Sequence, residues 1–185
     1  MNPHQVTMDF EKQLCEYTGA KYAACTTSCT MAILLALAYH IPEPNRYKQP
    51  KDRPKVSIPR PGYVSVPQSI IHAGGWPVFR DTEWSGCYQL EPFDVWDYAR
   101  RFTAGMYISS QFQCVSFHAS KILGLEQGGA ILHDNSYAQG FFEKARFDGR
   151  TPGIDPASDP AIGTTISWHC YMNPSTAAQG ILRLY

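Results

Sequence analysis

The sequence predicts a single α/β domain with a largely parallel sheet. Short apolar segments alternate with longer helical patterns along the chain, which is the order of β-α-β units. The 185 residues are enough for one ordinary domain with a core of its own. No internal repeat interrupts the alternation. We therefore expect residues 1–185 to form one domain.

The helical patterns begin with an amphipathic segment at residues 8–17, which has Thr7 as a candidate N-cap and Gly19 after its end. The next run, MAILLALAYH, is apolar on nearly all sides, so this helix is expected to be buried. Three further helices are predicted: one with Pro67 at its start that ends near Gly74, one capped by Asp134 or Asn135 that runs to about Phe147, and one opened by Pro174.

The apolar segments between these helices predict the strands, at residues 21–25, 56–59, 77–80, 93–97, 114–117 and 129–132. Two stretches are rich in proline and charged or small polar residues, at positions 41–55 and 150–167. Such composition is typical of surface loops, and the second stretch is long enough to predict a functional or mobile loop.

Composition excludes several classes of function. The chain has 16 basic and 16 acidic residues, which gives no electrostatic reason to expect a nucleic-acid partner. No apolar run reaches the roughly 18 residues of a membrane span, and the N-terminus lacks the apolar core of a signal peptide. The six cysteines and six histidines are dispersed without disulfide or metal-ligand spacing. We expect a cytoplasmic protein with free, mostly buried thiols and without a metal.

Polar residues that directly follow the predicted strands are the candidate site, because ligands of open α/β sheets bind beyond the carboxyl ends of the strands. The segment TTSCT, residues 26–30, lies between a strand and the apolar helix. Its hydroxyls and the free N–H groups of the helix predict a phosphate site, although Ser28 is equally explained as a simple helix cap. Tyr63 follows the strand that ends at Pro59, where its ring either stacks on a flat ligand or is a core or rim residue.

Two charged residues complete the set. Asp97 ends an apolar strand, where a carboxylate is costly to bury without a cationic partner, either a protonated ring nitrogen or Arg100 or Arg101. In SFHASKILGLEQGGAIL, Ser116 ends a strand and Lys121 follows five residues later. A lysine in such a turn can point back at the sheet and form a Schiff base with an amine activated by desolvation, or it is an ordinary surface lysine.

The four segments together supply a phosphate cradle, a ring-stacking aromatic, a partner for a pyridine nitrogen and a Schiff-base lysine. These are the protein groups that pyridoxal 5′-phosphate (PLP) chemistry requires. Each signal is weak alone, and it is their combination that predicts a PLP site.

Several segments also resemble the DegT-type, fold-type-I sugar aminotransferases, namely residues 10–37, 56–81, 96–101, 114–132 and 168–181. The lysine segment with its Gly-Gly pair, 114–132, is the most specific of them. The resemblance implies the following roles: Ser28, Cys29, Thr30 and Ser116 at the cofactor phosphate, Tyr63 and Ala99 at the ring faces, Asp97 at the pyridine nitrogen, Arg100 where the family often has a glutamine facing the ring hydroxyl, Lys121 as the Schiff-base lysine, and His169 reaching the cofactor of a neighbouring subunit.

The same resemblance implies the large domain of fold type I, without one strand–helix unit between Glu91 and Phe93. It also implies the absence of the smaller C-terminal domain into which the family continues beyond the position of Tyr185. A chain of this kind is expected to keep its cofactor residues while losing much of the wall around the substrate.

The implied activity is transfer of an amino group, expected to come from glutamate, to a nucleotide-linked keto-sugar. The Ser-Cys-Thr turn and the run Tyr-Met-Asn-Pro resemble the GDP-perosamine-type branch, and the family implies a homodimer with shared active sites. Lys121 favours transamination over the dehydratase variant, which has a histidine there. The alternatives are a PLP-binding but catalytically reduced or structural remnant, and an α/β domain that binds another phosphate ligand at the TTSCT turn.

Overall fold

The computed structural model describes residues 4–41 and 49–184. Its elements are α1 (Gln5–Thr18), β1 (Tyr22–Thr26), α2 (Cys29–His40), β2 (Lys55–Pro59), α3 (Ser65–His72), β3 (Trp76–Arg80), β4 (Tyr88–Gln89), β5 (Val95–Asp97), β6 (Phe112–Ser116), β7 (Gly129–His133), α4 (Ser136–Ala145) and α5 (Pro174–Arg183). Every predicted helix and strand is present, with ends shifted by a few residues. The short strand β4 was not predicted. Positions 42–48 of the predicted loop at 41–55 lie outside the described residues.

Five strands form one sheet in the order β1-β7-β6-β5-β4, while β2 and β3 form a parallel pair. A backbone bridge between Ser57 of β2 and Glu91, just after β4, ties the pair to this sheet. The predicted fold class is confirmed with one correction, since the sheet is mixed rather than mainly parallel. Of the described neighbours, β2–β3 and β5–β6 are parallel and the other pairs are antiparallel. Residues 117–128 join β6 to β7 without a helix, whereas parallel neighbours are usually joined through a helical crossover.

The two faces of the sheet carry two core clusters. Along β1, Ala24 packs into a cluster with the buried side chains of α2, α3 and α4, whereas Ala23 and Cys25 pack into a second cluster with α1 and α5. This alternation follows from the two-residue period of a strand. Helix α2 is buried along most of its length, as its uniformly apolar sequence predicted. The helix therefore lies firmly between the sheet and its neighbours, which fixes its N-terminal end.

The helix ends test the predicted caps. The assignment of Thr7 as an N-cap is wrong, because the carbonyl of His4 already accepts bonds from the N–H groups of Thr7 and Met8, so α1 begins at Gln5. Gly19 ends α1 with a left-handed φ of 82°, as predicted. Of the two candidates for α4, Asn135 is the cap, and its side chain accepts the N–H groups of residues 137 and 138.

His133, at the end of β7, is fully buried in an aromatic environment. Its ring centre lies 5.6 Å from that of Phe112 and 5.2 Å from that of Phe142, and its Nε2 is 3.1 Å from Gln139 Oε1. Burial penalises the charged imidazolium and lowers the pKa of His133 from 6.5 to about 4.

This shift predicts acid sensitivity of the fold. As pH falls through 6.5, His133 becomes protonated in the unfolded chain, whereas in the folded chain it stays neutral until about pH 4. The free energy of unfolding is therefore expected to decrease by about 3 kcal/mol across that window. Denaturant titrations at both ends of the window, on the wild type and on His133→Phe, measure it. The variant keeps a ring but cannot titrate, so equal losses in the two proteins would contradict the prediction.

Candidate functional site

A cavity of about 900 Å³ lies where the segments that follow β1, β2, β5 and β6 meet. This is the edge of the sheet at which the sequence placed the site. The cavity is lined by the following predicted residues: Ser28, Cys29, Thr30, Tyr63, Asp97, Ala99, Arg100, Ser116 and Lys121. The structure thus brings together residues from four separate segments of the chain, and their individual roles remain predictions.

The TTSCT turn joins β1 to the start of α2. The Ser28 hydroxyl accepts the Met31 N–H at 3.2 Å and so caps the helix. Cys29 and Thr30 occupy the first helical positions, where N–H groups have no carbonyl partner within the helix. The Thr30 hydroxyl is 2.8 Å from that of Ser65 at the start of α3. The cap and the phosphate site are therefore compatible, since capping uses one hydroxyl and leaves the first N–H groups of α2 available to an anion.

Two glycines let this turn approach the sheet. A Cβ atom on Gly129 would lie 2.4 Å from the Cys29 backbone nitrogen, which is closer than real Cβ atoms come. Its neighbour Gly128 forms a backbone bridge with Ser28. The Gly-Gly pair therefore serves to bring the start of α2 against β7, which holds the turn at the cavity wall.

Asp97 presents a buried carboxylate at the end of β5. The residue is 5% exposed; its Oδ2 accepts the Tyr88 hydroxyl at 2.8 Å and its Oδ1 accepts the Ala99 N–H at 2.8 Å. Burial raises the pKa of Asp97, and the two hydrogen bonds and the nearby charges of Lys121 and Arg100 oppose that rise only in part. Among the described residues no cation pairs with this carboxylate, so the ion pair with Arg100 or Arg101, one of the two predicted alternatives, does not form.

Lys121 lies in the turn that follows β6. Its backbone N–H donates to the His118 carbonyl at 2.8 Å, which closes the turn. The side chain is half-buried and lines the cavity, where burial raises the pKa of both Asp97 and Cys29 and the charge of Lys121 opposes that rise in part. The structure thus places Lys121 at the cavity, and its role as a Schiff-base lysine rather than an ordinary loop lysine stays a prediction. The amine and the Asp97 carboxylate share one cavity without forming an ion pair.

Two aromatic side chains stand at the rim. Tyr63 is 72% exposed and lines the cavity, so of the predicted alternatives it is a rim rather than a core residue, and its stacking role stays a prediction. Trp84 is half-buried, and its Nε1 donates to the Pro61 carbonyl at 2.9 Å. Tyr63 lies in the segment that follows β2, and the Trp84 hydrogen bond ties the other aromatic side chain to the same segment.

The family model of the DegT/DnrJ/EryC1/StrS aminotransferases matches residues 4–97, just over half of the chain. The chain belongs to this family. The matched region includes the hydroxyl turn, Tyr63 and Asp97, whereas Lys121 lies beyond it. Among curated proteins, none matches this sequence.

Solved structures share the fold of this DegT/DnrJ/EryC1/StrS family member. NtdA of Bacillus subtilis, solved with bound cofactor PMP, is 18% identical, with a TM-score of 0.71, over 97% of this chain and 47% of its own. PseC of Helicobacter pylori, an aminotransferase of pseudoaminic acid biosynthesis, is 20% identical, with a TM-score of 0.69, over 97% and 57%. An aminotransferase of Psychrobacter cryohalolentis is 16% identical, with a TM-score of 0.69, over 97% and 56%. The chain spans about half the length of the structures it matches.

Of the predicted site residues, His169 does not line this cavity. Its side chain is 68% exposed, and its Nδ1 lies 2.8 Å from Asp148 Oδ2. The predicted contact of His169 is with the cofactor of a neighbouring subunit. The structure of a single chain does not test this contact, which stays a prediction.

Sequence reasoning missed two residues that line the cavity, Trp84 and His118, and Tyr88, which lies behind Asp97. Tyr88 reaches Asp97 because β4 and β5 pair in the register Tyr88↔Asp97, and a two-residue strand has no periodicity to reveal it. Trp84 comes from the connection between β3 and β4, which has no regular pattern. His118 precedes Lys121 by one turn, so its place in the lysine segment was a usable signal.

The six cysteines are free thiols, four of them buried. In the described ranges, no His, Cys, Asp or Glu residues cluster in the way a metal ion needs. Nor does any helix in those ranges have the length and apolar character that crossing a membrane requires.

Proposed function

We propose that the chain is a PLP-dependent aminotransferase that moves an amino group from an amino acid to a keto-sugar carried on a nucleotide. The observation that carries the proposal is that Lys121, Asp97 and the hydroxyl turn at Ser28–Thr30 line one cavity. Membership of an aminotransferase family supports the reaction class. The PMP-bound NtdA structure and PseC support a pyridoxal cofactor and a sugar substrate.

The residues present fit the cofactor. A buried carboxylate with a raised pKa and no cationic partner among the described residues matches the protonated nitrogen of a pyridine ring. The first N–H groups of α2, with the hydroxyls of Thr30 and Ser116, match a phosphate. PLP supplies an aldehyde and an electron-accepting ring.

Each residue of the cavity then has a separate proposed role. Lys121 would hold the cofactor through its side-chain amine and, once freed by the donor, would accept and return a proton at Nζ. Asp97 would keep the ring nitrogen protonated. Tyr63 and Ala99 would hold the two ring faces, and Arg100 would stand on the side of the ring hydroxyl. His169 completes the phosphate site from a second subunit, which makes the working form a homodimer.

The narrower assignment is glutamate as donor and a GDP-linked keto-sugar as acceptor. The GDP-linked acceptor is inferred from the Ser-Cys-Thr turn and the Tyr-Met-Asn-Pro run, which resemble the GDP-perosamine-type branch, and the glutamate donor is inferred from the resemblance to the family.

The test is an absorbance spectrum of the purified protein with added PLP, followed by borohydride reduction and peptide mass spectrometry. A yellow band and a phosphopyridoxyl group fixed on Lys121 are expected, and glutamate is expected to bleach the band. Absence of the band, or label spread over surface lysines, would contradict cofactor binding. A labelled Lys121 whose band no amino donor bleaches would instead favour the PLP-binding remnant.

A further inference from the structure

The connection between β3 and β4 builds one wall of the cavity around Trp84. Three contacts fix this side chain. Its Nε1 donates to the Pro61 carbonyl at 2.9 Å, and its ring meets the Tyr88 ring edge-on with 4.7 Å between the ring centres. The Arg100 guanidinium carbon lies over it, 5.1 Å from the ring centre. Tyr88 is itself held by Asp97. The wall is therefore tied to the residue at the base of the cavity.

Arg100 brings an exposed positive charge to this wall. Its backbone follows Ala99, whose N–H is bound by Asp97, so the stem of the side chain begins from a fixed point. Among the described residues, the guanidinium forms no ion pair and donates no hydrogen bond. A guanidinium that rests on an aromatic ring uses its flat face, which leaves the N–H groups in its plane free.

We propose that Arg100, held over Trp84, binds an oxyanion of the substrate, either the carboxylate of the amino donor or a phosphate of the nucleotide-linked sugar. The inference rests on the proposed function, because that reaction brings both groups to the cavity. A guanidinium binds either group through two parallel N–H···O bonds. Since Trp84 already restricts the side chain, less conformational entropy is lost on binding than for a free arginine.

Arg101 offers a matched control. It is the next residue along the chain, carries the same charge and is exposed, but it does not line the cavity. A general effect of removing one positive charge from this segment would appear equally in Arg100→Gln and Arg101→Gln, whereas a binding site would respond to Arg100→Gln alone.

The experiment measures calorimetric binding of glutarate and of GDP, separately, to the full-length wild type and to both variants. Arg100→Gln is expected to weaken the binding of one probe by about 10- to 100-fold, the usual effect of losing a charged hydrogen-bond pair. Arg101→Gln is expected to bind both probes as the wild type does. If Arg100→Gln weakens the binding of glutarate, the bound oxyanion is the carboxylate of the donor. If it weakens the binding of GDP, the bound oxyanion is a phosphate of the nucleotide. A Trp84→Leu variant is expected to weaken the same probe several-fold, because the guanidinium is no longer held in place.

The inference is overturned if neither probe binds the wild type, or if Arg100→Gln binds both as tightly as the wild type does. Borohydride labelling of Lys121, measured on the same samples, separates this failure from failure of the proposed function. A labelled Lys121 with unchanged probe affinities rejects only the oxyanion site. An unlabelled Lys121 with an affinity that depends on Arg100 rejects only the PLP reaction.

Discussion

A Lys121→Ala variant is expected to fold like the wild type and to lose aminotransferase activity. The loss should be at least about 10²- to 10⁴-fold, the contribution of a positioned proton-transfer group alone, and larger because the covalent link to the cofactor also disappears. Stability should change little, since the side chain is only half-buried and forms no ion pair among the described residues. Initial rates with an amino donor, together with thermal unfolding, measure both parts.

Lys12→Ala is the control for loss of one lysine. Lys12 lies on α1, its side chain is 77% exposed, and it pairs loosely with Glu16 at 3.9 Å. Activity and borohydride labelling are expected to be unchanged in this variant. Activity retained in Lys121→Ala would reject Lys121 as the reacting lysine, whatever the cofactor spectrum of the wild type.

The helices and most strands could be predicted because their signals are local. The apolar run of α2 and the Gly19 stop of α1 depend on residues close together in sequence. The directions of the strands were not local information. β7 lies between β1 and β6 because residues 117–128 connect it to β6 without a helix. The sequence of the lysine segment does not indicate this strand order. Thr7 misled for a related reason, because a good capping residue lies inside a helix whose N–H groups were already bound by His4.

The predicted site residues other than His169 line the cavity because each lies at or shortly after the carboxyl end of a strand. That rule needs only the strand positions, so an incorrect strand direction at β7 did not disturb it. Tyr88 and Trp84 escaped because their places depend on a long-range register and on side-chain contacts. These two residues hold Asp97 and Arg100, so sequence reasoning found the reacting groups but missed the residues that support them.

A buried ion pair lies behind the hydroxyl turn. Arg146, after α4, pairs with Glu11 of α1, and each side chain is 12% exposed. The pair encloses Cys25, whose N–H donates to Glu11 at 2.7 Å and whose carbonyl accepts from Arg146 at 2.8 Å. Burial alone would lower the pKa of Arg146, but the adjacent Glu11 carboxylate outweighs it and holds that pKa above its ordinary value. The pair thus connects two helices to β1 directly before the turn.

A Glu11→Ala variant is therefore expected to lower the free energy of unfolding by about 3–5 kcal/mol, because it leaves the Arg146 charge buried and unpaired. The Cys25 N–H also loses its acceptor, and β1 then holds the TTSCT turn less firmly. Denaturant unfolding measures the stability loss. Glu16→Ala, on the exposed side of the same helix, removes only the loose pair with Lys12 and should cost less than about 1 kcal/mol. The double variant Glu11→Met with Arg146→Met should recover much of the loss, since no unpaired charge remains buried. If Glu11→Ala costs no more than Glu16→Ala, the buried pair does not stabilise the strand that leads into the site.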